Sequence, residues 1–219
     1  MIWRASDLSQ ASVACGGSAF EQKLWSAFAK KRGPSKKAGP PVHDDLVKCA
    51  FVAQRPNQIW HTAITEHPTR EGKLYVCAIK DLHSNRIVGY ATDRRMTWSL
   101  AISALRTAIG MRRPCGTIIH SDRGSQFRST AFVGIAKNNG LVGSMGRVGA
   151  AGDNAAMESF FALLQNNVLD RKRWETRQEL HLAIVTWIER TYHRRRRQRT
   201  LGRMTPIEFE TLNMALKAA

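Results

Sequence analysis

The chain has 219 residues, 43% hydrophobic and 8% aromatic, with 34 Lys and Arg against 17 Asp and Glu, a net charge of +17 and a pI near 10.6. That length holds one good-sized domain plus a tail, and the charge points to a polyanion, most simply nucleic acid. No run of 18 apolar residues could span a membrane, residues 1–20 lack a secretory apolar core, and Cys15, Cys49, Cys77 and Cys115 form no Cys-x-x-Cys pair, which argues against a zinc finger and for reduced thiols in the cytosol.

Met1 to Lys30 carries little pattern beyond a short helix expected around Phe20 to Phe28. Lys31 to Pro41 is a basic Gly/Pro linker, a solvated tether and equally a segment that can track phosphates. Residues 58–66, 72–80 and 86–93 read as three strands in a meander, with Leu74 to Ile79 apolar enough to be buried on both faces. Ser84-Asn85 supplies the second turn. Trp98, Ala101, Ile102 and Leu105 fall at helical spacing, so a helix is predicted over 97–109 with Gly110 as its C-cap. A fourth strand (116–120), a short helix (129–138) and a fifth strand (141–145) follow, then a Gly-rich loop over 146–152. Asp153-Asn154 reads as the N-cap of a helix carrying Met157, Phe160, Phe161 and Leu164. Thr176-x-x-Glu179 opens another helix reaching Tyr192, and Thr205-Pro206-x-Glu208 opens the last. This order predicts an α/β chain. It divides into a short N-terminal segment and linker (1–45), a core (46–170) and a C-terminal helical, Arg-rich segment (171–219).

Two stretches carry chemistry. Ile118-Ile119-His120-Ser121-Asp122-Arg123-Gly124 is an apolar run ending at a carboxylate and a glycine turn, so Asp122 is placed at a strand end. Glu158 sits about one turn into the following amphipathic helix. A strand-end Asp and a first-turn Glu suit a hard divalent cation, which prefers oxygen ligands.

His-Ser-Asp-Arg-Gly-Ser-Gln-Phe (120–127), 35 residues between Asp122 and Glu158, and Glu-Ser-Phe-Phe (158–161) resemble the retroviral-integrase-type catalytic core of bacterial insertion-sequence transposases, closest to the IS-three group. The resemblance covers about Pro41 to Phe209. It implies a ribonuclease-H-like fold, a five-stranded mixed sheet flanked by helices with positions 63, 122 and 158 converging on one edge. It also implies DNA cleavage and strand transfer on two Mg²⁺ or Mn²⁺ ions, double-stranded DNA partners (element ends and target), a homo-oligomer on DNA and a place on the bacterial nucleoid. The family usually has a longer helical DNA-binding segment upstream, of which residues 1–45 would be a shortened form. Asp122 and Glu158 match the family's catalytic, metal-binding carboxylates. Arg123, Asn154, Gln165 (Lys in many relatives) and Arg194, Arg195, Arg196 and Arg197 fall where DNA contacts are expected, the Arg run with Trp187 and Tyr192 nearby for support. The first-strand carboxylate of the family, in a Trp-x-Thr-Asp-Ile-Thr pattern, is replaced here by Ala63 in Trp60-His61-Thr62-Ala63-Ile64-Thr65.

Alanine offers no oxygen. Glu66 has the wrong strand parity to replace it, and Asp81 reads as a turn cap. His120 reads either as a hydrogen-bonded strand-end residue or as a group near the metal. Losing the ligand that bridges two metals removes several kcal/mol of transition-state stabilisation. The expectation is therefore a transposase whose chemistry is impaired, with a non-catalytic DNA-binding relic or regulator of transposition as the alternative.

Overall fold

The computed structural model describes residues 40–48, 52–146 and 154–218. The helix expected near Phe20 to Phe28, most of the basic linker, Cys15, Cys49 and most of the Gly-rich loop lie outside those residues.

The sheet consists of β1 (Ile59–Thr69), β2 (Gly72–Asp81), β3 (Ile87–Asp93), β4 (Thr117–Ser121) and β5 (Leu141–Met145), in the order β3-β2-β1-β4-β5. β1–β2 and β2–β3 are antiparallel, and β1–β4 and β4–β5 are parallel. The carboxyl ends of β1, β3, β4 and β5 therefore share one edge.

Both faces are covered, as the apolar run in β2 implied. Cys77 and Ile79 join Trp60, Val88 and Ile119 beneath α1 (Trp98–Arg112) and α2 (Thr130–Asn138). Their neighbours Val76 and Ala78 join Ile87 on the other face, against α3 (Ala155–Asn167), α4 (Arg177–Thr186) and the π-helical turn Trp187–Tyr192. The two-residue side-chain period of the strands sorts these clusters. α1 lies unusually close to the sheet: a Cβ on Gly89 would sit 2.3 Å from the Ala104 carbonyl oxygen and 2.8 Å from the Ala108 nitrogen, so only glycine fits there. On the outer side of β5, Met145 N–H reaches the Asp44 carbonyl and Leu46 N–H the Ser144 hydroxyl, which partly covers an edge strand.

α1 runs past Gly110, which is an interior residue. Its C-cap is Arg113, in the left-handed region at φ 46°. Ser129 caps α2 as its sequence suggests, accepting from Phe132 N–H. The helix expected to reach Tyr192 turns from α to π geometry after Thr186. There buried His193 accepts the Ile87 N–H at Nε2 and holds Glu189 through Nδ1. The last helix, α5 (Pro206–Ala218), opens with a reciprocal capping box, Glu208 accepting Thr205 N–H and Thr205 accepting Glu208 N–H. α5 is held by Glu210, 6% exposed, which accepts from Arg86, Arg112 and Ser84. Trp174, Leu180, Trp187 and Tyr192 share the core of the sheet, so the chain beyond residue 170 is packed into the same body.

Candidate active site

The parallel ladder between β1 and β4 pairs Ile59 with Ile118, Trp60 with Ile119 and His61 with His120. The pairing stops there, and Ala63 and Asp122 each lie two residues beyond that last pair, Asp122 just past the end of β4. Asp122 is the first residue past β4. It is exposed, and its Oδ1 accepts the Gly124 N–H at 2.8 Å. A Cβ on Gly124 would lie 2.8 Å from both Asp122 Oδ1 and Gln126 Oε1, so the loop folds two oxygens over that glycine. Buried Phe127 fastens the loop to the core.

Glu158 stands exposed in the first turn of α3, where the helix dipole favours a carboxylate, while Met157, Phe160 and Leu164 are buried beneath. Asn154 occupies the N-cap position with its backbone carbonyl accepting from Met157 and Glu158, but its side chain makes no cap bond. This corrects the expectation of a capping Asn. The amide turns inward instead: Oδ1 bonds His61 Nδ1 at 3.1 Å and Nδ2 donates to the Thr62 carbonyl at 3.1 Å. Lys80, across the ladder from His61, donates to the Ala156 carbonyl at 3.2 Å. The start of α3 is thus fastened to β1 and β2 beside position 63.

His61 and Lys80 were not singled out in the sequence. The usable signal was strand parity, since His61 lies two residues before Ala63 and faces the same way. Both are buried. Desolvation, with nearby His120 and Lys80 adding to it and the Asn154 bond opposing, lowers His61 to about 3; burial lowers Lys80 to about 8. A neutral His61 donating from Nδ1 leaves Nε2 buried without a hydrogen bond. His120 stacks on it at 4.9 Å and bonds the Ser144 hydroxyl, consistent with its reading as a hydrogen-bonded strand-end residue.

These residues fit a divalent cation incompletely. Asp122 and Glu158 supply hard oxygens, but position 63 supplies a methyl group between His61 and Thr65 on its face of β1. Among the described residues no three His, Cys, Asp or Glu side chains gather as a metal group. Glu66 is ion-paired with Lys73 at 2.5 Å. Asp81 is buried, accepting from Asn57 and His83 N–H, and burial pushes its carboxyl up; it is the turn cap its position suggested. Among the described residues neither Glu66 nor Asp81 adds a third carboxylate beside Asp122 and Glu158, so their donor set does not fit a pair of bridged ions.

The residues expected to contact DNA fall into two kinds. Arg123 is half-buried, its Nε donating to the Gly146 carbonyl at 2.8 Å. Gln165, expected to face DNA, donates to Asp170 at 2.5 Å within its own chain. Arg194 to Arg197 are all exposed, and Trp187 and Tyr192 are core residues beneath them. Arg197 lies 3.6 Å from Glu208.

Two family models, each described as an integrase core domain, match residues 53–151 and 139–206. The chain is 40% identical over 166 residues to the transposase for insertion sequence element IS629 of Shigella sonnei, covering 76% of this chain and 56% of that protein. It is 34% identical over 212 residues to transposase InsF for insertion sequence IS3A of Escherichia coli K12, covering 91% of this chain and 74% of that protein. The chain belongs to the IS3 group of insertion-sequence transposases. It spans little more than half the length of the IS629 protein. Its fold matches the simian T-cell lymphotropic virus intasome structure (TM-score 0.61, 20% identity, 82% of this chain and 60% of that one). It also matches the HTLV-2 integrase catalytic core domain solved with magnesium (TM-score 0.55, 18% identity, 72% and 98%). This chain therefore has the ribonuclease-H-like fold of retroviral integrase cores, with Ala63 in its first strand.

Proposed function

We propose that this chain is a DNA-binding transposase of the strand-cleaving and strand-transferring type, and that Ala63 impairs its chemistry. The observation that supports the reading is the β1–β4 ladder, whose last pair, His61 with His120, lies two residues before both Ala63 and Asp122. Asp122 and Glu158 would hold one Mg²⁺ or Mn²⁺, which when bound supplies charge stabilisation to a reacting phosphate. The HTLV-2 core was solved with magnesium, and the same ion class suits this oxygen pair. The chain's own part is to present the two carboxylates and to keep α3 fastened through Asn154 and Lys80. A second ion has no bridge, and no step is assigned to it.

Duplex DNA, at element ends and target, is the proposed partner. The exposed Arg194 to Arg197 run positions it through phosphates without reading sequence. Arg123, anchored to Gly146, Asn154, tied to β1, and Gln165, whose amide also bonds Asp170, support DNA engagement from the site's frame. Assembly as a homo-oligomer on DNA, in the bacterial cytoplasm on the nucleoid, completes the proposal. Among the described residues no helix is long and apolar enough to cross a membrane.

The test is strand cleavage of labelled DNA with Mg²⁺ or Mn²⁺ by this chain, by Ala63→Asp and by Ala63→Asp/Asp122→Asn. Background cleavage by the first, activity in the second and its loss in the third are expected. Equal cleavage by the parent chain and the Ala63→Asp variant, abolished by Asp122→Asn alone, would refute impairment. The same substitution favours a second reading, a non-catalytic binder that competes with active relatives for DNA; it gains if Ala63→Asp restores nothing while DNA binding is intact.

A further inference from the structure

The turn after β3 is exposed along almost its whole length. Arg94, Arg95, Met96 and Trp98 are open to solvent, Met96 at 49% and Trp98 at 54%. The turn is shaped by its own polar groups: Asp93 accepts Arg95 N–H, and Thr97 N–H reaches the Arg95 carbonyl. None of the ion pairs among the described residues involves Arg94 or Arg95.

Its place in the fold is fixed twice. Tyr75 of β2 pairs with Asp93 on one side and Glu66 on the other, so β3 ends at the edge where β1 and β4 also end. The Gln126 amide, whose oxygen shares the Gly124 cradle with Asp122, donates to the Met96 carbonyl at 3.4 Å. A large aromatic ring, a thioether and two guanidinium groups with no ion pair among the described residues thus stand on a short connected path from Asp122.

We propose that the Arg94–Trp98 turn binds an unpaired nucleotide of DNA held at the Asp122 edge, the Trp98 indole stacking on its base and Arg94 and Arg95 holding adjacent phosphates. This rests on the DNA reading above and adds to it a specific surface and a specific form of DNA. An indole can stack only on a base with a free face, which an intact duplex does not offer along its length and a frayed or single-stranded tail does. Aromatic stacking flanked by arginines is sequence-tolerant and salt-dependent. A purely apolar partner would leave both guanidinium groups unanswered.

The experiment is fluorescence anisotropy with the full chain. One probe is a labelled blunt duplex, the other the same duplex with a short single-stranded tail. The chain is expected to prefer the tailed probe. Trp98→Ala should lower tailed affinity about tenfold while leaving blunt affinity unchanged, and Trp98→Phe should retain most of the preference. Arg94→Ala with Arg95→Ala should weaken both probes and reduce the log–log salt slope by about 2. The same tailed-to-blunt ratio in the chain and in Trp98→Ala, or no tailed preference at all, overturns the inference but leaves the DNA reading standing. Absence of any salt-sensitive DNA binding overturns both. A change of oligomeric state in Trp98→Ala by sedimentation, with the DNA preference intact, overturns the inference in favour of a protein contact.

Discussion

Two carboxylate-bearing regions of this chain are built in opposite ways. At the strand edge, Asp122 is exposed and accepts an N–H from its own loop. At the far end of the chain, Glu210 is 6% exposed and receives hydrogen bonds from Arg86, Arg112 and Ser84, which come from the β2–β3 turn and α1. One carboxylate is open to solvent, and under the proposed function to a cation; the other is used up in holding α5 to the body. Position 63, partly buried against the core beneath α3, belongs under the proposed function to the first region. Its loss should cost chemistry and leave the fold intact.

The largest effect expected is on that chemistry. Ala63→Asp should raise Mg²⁺-dependent strand cleavage by roughly a hundredfold or more, on the order of 3 kcal/mol of transition-state stabilisation, read in single-turnover assays. Its melting temperature should stay close to that of the parent, which sharpens the contrast. At the other region Glu210→Ala should destabilise folding by about 3 kcal/mol in urea unfolding, because two arginines are left facing a void, without altering the tailed-to-blunt DNA preference of folded protein. A Glu210→Ala chain as stable as the parent would break the comparison.

Acid tests the clamp without a cavity. Burial pushes Glu210 up, but Arg112, with the hydrogen bonds from Ser84, Arg86 and Arg112, holds its carboxyl below the usual range. A carboxyl lowered on folding contributes stability that is full above its unfolded value, about 4.3, and is lost as pH falls through the folded value. Asp81, pushed up by burial, acts in the opposite sense, so the diagnostic is the difference between the chain and Glu210→Gln. The gap between their melting temperatures should narrow below about pH 4.3.

Asn154→Ala should cost about 1–2 kcal/mol, since it deprives His61 Nδ1 and the Thr62 carbonyl of partners. In an Ala63→Asp background it should also lower cleavage through a loosened α3. The smallest stability change, within about 0.5 kcal/mol, is expected for Ala at Arg194 to Arg197. That variant should nonetheless weaken binding to all DNA sequences alike and flatten the salt slope, by about 0.9 for each phosphate no longer neutralised.

Local pattern was enough to set much of this. Alternation in β2 sorted Cys77 and Ile79 from Val76 and Ala78 onto two faces, because strand side chains alternate whatever they meet. The 120–127 and 158–161 motifs, with their spacing, pointed to the integrase-like core that the chain's relatives share. Helix starts at Ser129 and Thr205 were legible because a cap is a contact within four residues. The C-cap of α1 falls at Arg113 and not at Gly110, because a glycine only permits a left-handed cap and the helix continues to Arg112.

The inward turn of Asn154 could not be read, since its amide answers a carbonyl 92 residues away and not its own helix. Nor could the burial of His61 and Lys80, polar residues whose place depends on which helix covers their face of the sheet. Glu210 finds Ser84, Arg86 and Arg112 across 98 to 126 residues. The elements, the motif pair and the alanine at position 63 were all written in residue order, because these are properties of neighbours along the chain. The choice of partner for each buried polar side chain was left to packing, because burying such a group demands a hydrogen bond and the nearest one in space depends on how the elements come together.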